Sequence, residues 1–333
     1  MCFLSKKLIL KIKKRIIVSL KALKEIKSDT KEFGFDIALT KWLRVVGIIS
    51  AEKYINKISE FMIKDLQLVI DKYNRKEYST ILPKKEIGDK LPVFVSWLQG
   101  EENMPEWIRA CYNNLNNILP PEAQIHFITY DNYLEYIDVP QYVIDKFNKG
   151  AMCPTNFSDI IRYALLASYG GVWLDLAVYL SKDAFEEALK YDLYTPRFYD
   201  EGDKLLDASR GRWVGGTWFS KSSNILFKYV TDSLSYFWSK HDKRIEYLSV
   251  DYIIWAGYSQ IPEISKLLDS VPLNNLELRL LNENLDKEYS RELCDKIFER
   301  QKIHLVNRHK EYPIKTKDGK QTVYGYLLSL NTN

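Results

Sequence analysis

The stretch from residue 156 to residue 180, NFSDIIRYALLASYGGVWLDLAVYL, constrains the fold more than any other part of this chain. Its first half predicts a helix that is capped by Asn156 or Ser158 and stopped by a Gly-Gly pair, whose first member suits a left-handed C-terminal position. Its second half alternates apolar and other residues, which predicts a strand with one face in the core. Asp175 lies on the other face. A partly buried aspartate near a strand end needs a partner, and a metal ion or a ligand is a common one.

A β-α-β unit is predicted upstream of this stretch. Residues 93–97 and 124–129 have the pattern of buried strands, and a helix is predicted from Pro105 to Leu119 between them. This order with short loops predicts an α/β fold with a parallel, doubly wound sheet. Ligands bind such sheets beyond the carboxyl ends of the strands. The polar and aromatic residues at those predicted ends are Ser96, Trp97, Gln99 and Asp131.

The first 90 residues predict a helical region that precedes the α/β region at residues 91–333. Residues 6–27 carry nine Lys or Arg and one Glu, and their apolar residues recur at helical steps. No apolar run there is long enough to span a bilayer. Two interpretations remain open: an amphipathic helix on an anionic membrane surface, or a basic surface helix packed on the α/β region. The helical pattern continues from Thr30 to Asn74 and gives way to a polar linker.

Composition excludes few classes of protein. The formal net charge of +4 over 333 residues is too small to indicate a nucleic-acid partner, and no zinc-binding spacing occurs. The four cysteines are scattered and none forms a CxxC pair, which favours free thiols in a reducing cytosol.

Three segments together resemble glycosyltransferase family 32 and the capsular polysaccharide synthesis proteins. They are PVFVSWLQGEENMPEWIRACYNNL, HFITYDNYLEYIDVPQYVIDKF and SDIIRYALLASYGGVWLDLAVYL, and the resemblance runs over roughly residues 91–183. It implies a GT-A-like, Rossmann-type fold and a bacterial hexosyltransferase. The expected reaction moves a hexose from a UDP-sugar to a growing surface or capsular polysaccharide with retention of configuration. A lipid-linked acceptor is compatible with this reaction. The expected location is the cytoplasm, with the enzyme held peripherally at the inner face of the plasma membrane.

The same resemblance bears on metal binding. GT-A enzymes hold a divalent cation, Mn²⁺ or Mg²⁺, with a DxD motif, and here Ala177 stands at the second position. Asp175 is left as the one carboxylate, which suffices only when substrate phosphates and water complete the shell. In related families a late histidine completes it, which makes His304 and His309 candidates. Metal dependence therefore stays open, and so does a non-catalytic relative.

The resemblance also assigns donor contacts. Trp97 and Gln99 stand where the family begins its nucleotide pocket, Asp159 would contact the donor sugar or ribose, and Arg162 would contact the diphosphate. The alternative for the last two is an ion pair three residues apart on one helix. Gly171 would let the backbone approach the donor, or would serve only as a hinge.

Beyond residue 183 the pattern is less specific. Asp251 resembles a late acidic element of the family and is the candidate acceptor base or sugar contact. A loop with Gly211, Gly215 and Gly216 suits acceptor binding, a donor lid or a simple turn. Two other functions stay open: a sugar-phosphate transferase, and a non-catalytic carbohydrate-binding protein.

Overall fold

The computed structural model describes residues 22–198 and 207–330 of the chain. Its amino-terminal part is helical, as predicted. Residues 22–33 form helix α1, followed by α2 (Phe35–Val45), α3 (Ala51–Asp65) and α4 (Gln67–Asn74). Most of the predicted amphipathic helix at residues 6–27 lies outside the described residues.

The predicted β-α-β unit is confirmed to within two residues at each end. Strand β1 (Leu91–Ser96) leads through helix α5 (Glu106–Ile118) to strand β2 (Ala123–Ile128). The short helices α6 (Tyr133–Tyr136) and α7 (Gln141–Asn148) follow, and then the long helix α8 (Pro154–Tyr169).

The remaining elements alternate short strands with helices. They are β3 (Gly171–Leu174), β4 (Val178–Leu180), α9 (Ala184–Ala188), β5 (Leu193–Tyr194), β6 (Thr217–Ser220), α10 (Ile225–Lys240), α11 (Ser249–Gln260), α12 (Pro262–Asp269), α13 (Arg291–Arg300), β7 (Ile303–Leu305) and α14 (Val323–Leu330).

The main sheet has the strand order β2-β1-β3-β6-β5. Strand β1 is parallel to β2 and to β3, whereas β6 is antiparallel to β3 and β5 is antiparallel to β6. The predicted α/β class is therefore confirmed, with a mixed sheet where an all-parallel one was expected. Because β6 is antiparallel, its first residue, Thr217, pairs with Leu174 at the carboxyl end of β3. The loop before β6 and the loops after β1 and β3 therefore meet at one edge of the sheet.

Both faces of the sheet are covered by helices. Val95 and Leu174 face the side where Ile108 of α5 packs, and Phe94 and Trp173 face the side of α8. Helices α1 to α4 share this second core with α8, α10 and α11. In the described part of the chain, none of the helices combines the length and the hydropathy needed to cross a bilayer.

Two local predictions were wrong. The strand predicted up to Leu180 ends at Leu174, because the Asp175 N–H donates to the Gly216 carbonyl (2.8 Å) and the Val178 N–H donates to the Asp175 carbonyl (3.0 Å), which makes a turn. Strand β4 then joins β7 in a separate two-stranded sheet. Helix α8 also begins before the predicted caps, because Pro154 starts it.

Candidate functional site

A cavity of about 1420 Å³ opens at the sheet edge where the β1, β3 and β6 loops meet. Trp97 and Gln99 line it just after β1, Asp175 just after β3, and Gly215 and Gly216 just before β6. The cavity therefore lies beyond the carboxyl ends of the parallel strands, where open α/β sheets bind ligands.

Arg162 of α8 joins two carboxylates at the floor of this cavity. Its Nη1 donates to Asp159 Oδ1 (2.8 Å) and its Nη2 donates to Asp175 Oδ1 (2.9 Å). The side chains of Arg162 and Asp159 are only 6% and 5% exposed. Breaking such a buried ion pair is costly because it leaves an uncompensated charge. The Arg162 and Asp159 side chains are therefore held in place.

Asp175 is held at one oxygen and open at the other. Its Oδ1 also accepts from Trp173 Nε1 (2.8 Å), a ring that stacks near the Arg162 guanidinium at 5.1 Å. Among the described residues, none donates a hydrogen bond to Oδ2, and the side chain is 47% exposed. Asp175 is thus fixed at Oδ1, and its half-exposed side chain lines the cavity.

Asp251 is a second carboxylate in the cavity, and it is deeply buried. It lies in the first turn of α11, is 8% exposed, and its Oδ1 accepts from Trp213 Nε1 (2.9 Å). Burial raises the pKa of Asp251 to about 7, and the Trp213 hydrogen bond limits the rise. Asp251 can therefore bind or release a proton near neutral pH.

Gly215 lies between Asp251 and Arg162. A β-carbon built there would be 3.5 Å from Asp251 Oδ1 and 4.0 Å from Arg162 Nη1. Burial also raises the pKa of Asp159 to about 6, against the opposing effect of Arg162. Arg162 is thus paired with Asp159 and Asp175, and Asp251 lies across Gly215 from it. Asp159 and Asp251 have pKa values displaced toward neutrality, as is common at functional sites.

Three of the predicted site residues are not brought into this cavity. Asp131 is exposed at the turn after β2, and it does not line the cavity. Gly171 has φ +84° and a β-carbon there would lie 2.4 Å from the Pro92 carbonyl, so glycine allows β3 to approach β1. His304 is buried in β7 beside Phe298, and burial lowers its pKa to about 3. The cavity is instead lined by His309, the other late histidine.

Four further residues that line the cavity were not assigned an individual role from the sequence. They are Trp173 and Trp213, which orient the two aspartates, and Arg279 and Arg308, which also line the cavity. The alternation around Asp175 could have indicated Trp173, because that ring lies two residues away. No motif marks the two arginines.

The donor set fits a divalent cation only if the cation arrives with a phosphate ligand. Within residues 22–198 and 207–330, no three His, Cys, Asp or Glu side chains are grouped so that they could hold a metal ion. The open oxygen of Asp175 supplies one hard ligand, and a diphosphate and water would have to supply the others.

Comparison with known proteins identifies the relatives of this chain. The family model for capsular polysaccharide synthesis proteins matches residues 46–327. O-glycosyltransferase braB of Annulohypoxylon truncatum is 30% identical over 97 residues, which cover 26% of this chain and 23% of that relative. No solved structure matches significantly. The match to the family model extends over most of the chain, and the resemblance to the capsular polysaccharide synthesis proteins is thereby confirmed: this chain belongs to the capsular polysaccharide synthesis protein family.

Proposed function

We propose that this protein is a glycosyltransferase that moves a hexose from a UDP-sugar to a growing surface or capsular saccharide. The observation that carries the proposal is Asp175, which is fixed at Oδ1 by Arg162 and Trp173 and 47% exposed to a large cavity. Membership of the capsular polysaccharide synthesis family and the partial match to an O-glycosyltransferase support it. Retention of configuration is proposed from the resemblance to glycosyltransferase family 32.

The proposed roles follow from charge and accessibility. Asp175 would orient the donor, and Trp97 and Gln99 would line the nucleotide end of the cavity. When the new glycosidic bond forms, the acceptor hydroxyl loses a proton, and Asp251 would accept it, since its pKa of about 7 suits a general base. Asp159 would act chiefly through Arg162, because it is buried against that guanidinium.

A divalent cation, Mn²⁺ or Mg²⁺, is part of the proposal. Asp175 would hold it together with the donor diphosphate, and the bound cation would neutralise charge that develops on the leaving group. Ala177, two residues on, offers no second carboxylate.

The test is a screen of the purified protein against nucleotide sugars, with Mn²⁺, with Mg²⁺ and with a chelator. Release of UDP together with a transferred or hydrolysed hexose is expected. Release of UMP would instead identify a sugar-phosphate transferase. Saccharide binding without release of any nucleotide, from every donor and with either metal, would identify a non-catalytic carbohydrate-binding protein.

The role of Asp251 predicts a specific pH dependence. A base must be deprotonated to act, so kcat/KM should rise as the pH passes through about 7 and level off above it. Asp251→Asn should lower kcat/KM by about 100-fold and remove this rise. The measurement is kcat/KM from pH 5.5 to pH 9, because kcat/KM follows the ionisation of the free enzyme, to which the pKa of about 7 applies.

Trp213→Phe provides the matched control. Phenylalanine keeps the aromatic ring but loses the N–H that donates to Asp251. Because that hydrogen bond lowers the pKa of Asp251, its loss should shift the rise in kcat/KM to higher pH. A rise that stays in place in both variants would show that another group is the base.

A further inference from the structure

One wall of the cavity is built from two segments that meet beside Asp175. Residues 276–280 and 305–309 both line the cavity, and the Leu305 N–H donates to the Leu278 carbonyl (3.1 Å). The Val306 N–H donates to the carbonyl of Ala177 (3.1 Å), which belongs to the turn that begins at Asp175. These backbone bonds fix the wall against that turn.

Arg279 and Arg308 place two cationic side chains on this wall. Both are exposed, both line the cavity, and within the described ranges neither forms an ion pair with a carboxylate. Of the two glutamates on the same wall, Glu277 is already paired with Arg300 (2.7 Å), and Glu283 is the other. His309, next to Arg308, also lines the wall, and its Nε2 accepts a hydrogen bond from Arg308 Nε (3.3 Å).

The Arg162 guanidinium, which also lines the cavity, is already occupied. Arg162 donates to Asp159 and to Asp175, and only 6% of its side chain is exposed. An anion that paired with Arg162 would have to displace a carboxylate from a buried ion pair, at considerable cost. Arg279 and Arg308 can meet an anion without breaking any such pair.

We infer that Arg279 and Arg308 form a subsite for a diphosphate group. Guanidinium groups bind phosphate oxygens through paired N–H donors, and two of them on separate segments match the two phosphates of a diphosphate. The subsite would supply positive charge beside Asp175, where Ala177 leaves the protein with one carboxylate for a cation. That the diphosphate belongs to the sugar donor rests on the proposed function, whereas the subsite rests on its own geometry.

The experiment measures the affinity of inorganic pyrophosphate, a short prenyl diphosphate, UDP and uridine by calorimetry. The variants are Arg279→Gln, Arg308→Gln and their combination. Each single change should lower the affinity for pyrophosphate and for UDP about 5- to 10-fold, and the double change should lower it more. The affinity for uridine should stay unchanged. Binding of both phosphate ligands to the unaltered protein should also weaken with salt. Arg291→Gln is the control, since that arginine is 89% exposed on α13 and outside the cavity.

The outcomes separate the subsite from the reaction. Unchanged pyrophosphate affinity in a folded double variant would overturn the subsite, whether or not hexose transfer is observed. Loss of pyrophosphate affinity without any transferase activity would keep the subsite and reject the proposed function. If the variants bind pyrophosphate and a short prenyl diphosphate more weakly but bind UDP with unchanged affinity, the subsite stands and the diphosphate belongs to a lipid-linked acceptor.

Discussion

Replacing Asp175 with asparagine should lower turnover by about 100-fold or more while the protein stays folded. The asparagine carbonyl can still accept from Arg162 and Trp173, so the size and contacts of the side chain are kept. What is lost is the negative charge of the one carboxylate that follows β3 and faces the cavity. Arg162 keeps its pair with Asp159, so the buried charge stays compensated. The measurements are turnover with the true donor and the melting temperature.

Asp183→Asn is the control for this change. Asp183 is a comparably exposed aspartate, 49%, that pairs with Lys302 and does not line the cavity. It should alter neither turnover nor the melting temperature appreciably, since an exposed ion pair contributes about 0–1 kcal/mol. Full activity of the Asp175 variant with the true donor would show that Asp175 has no part in the reaction.

The elements that the sequence predicted well are those set by local pattern. The helices between Thr30 and Asn74, and the β1-α5-β2 unit, depend on apolar periodicity and on Pro and Gly positions, which are local. The break after Leu174 was missed because its causes are distant in sequence. Gly216 accepts the Asp175 N–H from more than 40 residues away, and β7 takes up β4 from the far end of the chain.

The predicted site residues also divide into those that line the cavity and those that long-range strand pairing places elsewhere. Trp97, Gln99, Asp159, Arg162, Asp175 and Asp251 were predicted and all line the cavity. Asp131 was predicted to contact the donor because it follows the end of β2. However, β2 is the edge strand, and it lies one strand further than β1 from the β3–β6 pair, where the sheet changes from parallel to antiparallel. His304 was predicted from its place in the chain, and strand pairing directs it into the core.

Arg279 and Arg308 could not have been predicted from spacing. They reach the cavity only because Leu278 and Val306 are hydrogen-bonded to a neighbouring strand and to the Asp175 turn. For Arg162 the ion-pair interpretation is confirmed, since the pairs with Asp159 and Asp175 are present. Its contact with a donor stays a prediction.

The two glycines before β6 provide a second test of the site. A β-carbon at Gly216 would lie 2.3 Å from Asp175 Oδ2 and 2.6 Å from its Cγ, whereas one at Gly215 would have no neighbour closer than 3.5 Å. The Asp175 carboxylate cannot simply turn away, because Arg162 and Trp173 hold Oδ1. The backbone cannot move apart either without loss of the 2.8 Å hydrogen bond from the Asp175 N–H to the Gly216 carbonyl.

Gly216→Ala should therefore lower turnover about as strongly as Asp175→Asn, by about 100-fold or more, and Gly215→Ala should keep most of it. Both changes add the same methyl group and the same backbone restriction, so their difference reports the contact with Asp175. In an Asp175→Ala background the Gly216 change should cost little more, because the group it displaces is gone. Equal losses in the two glycine variants would mean that the loop acts on substrate access and not on the position of Asp175.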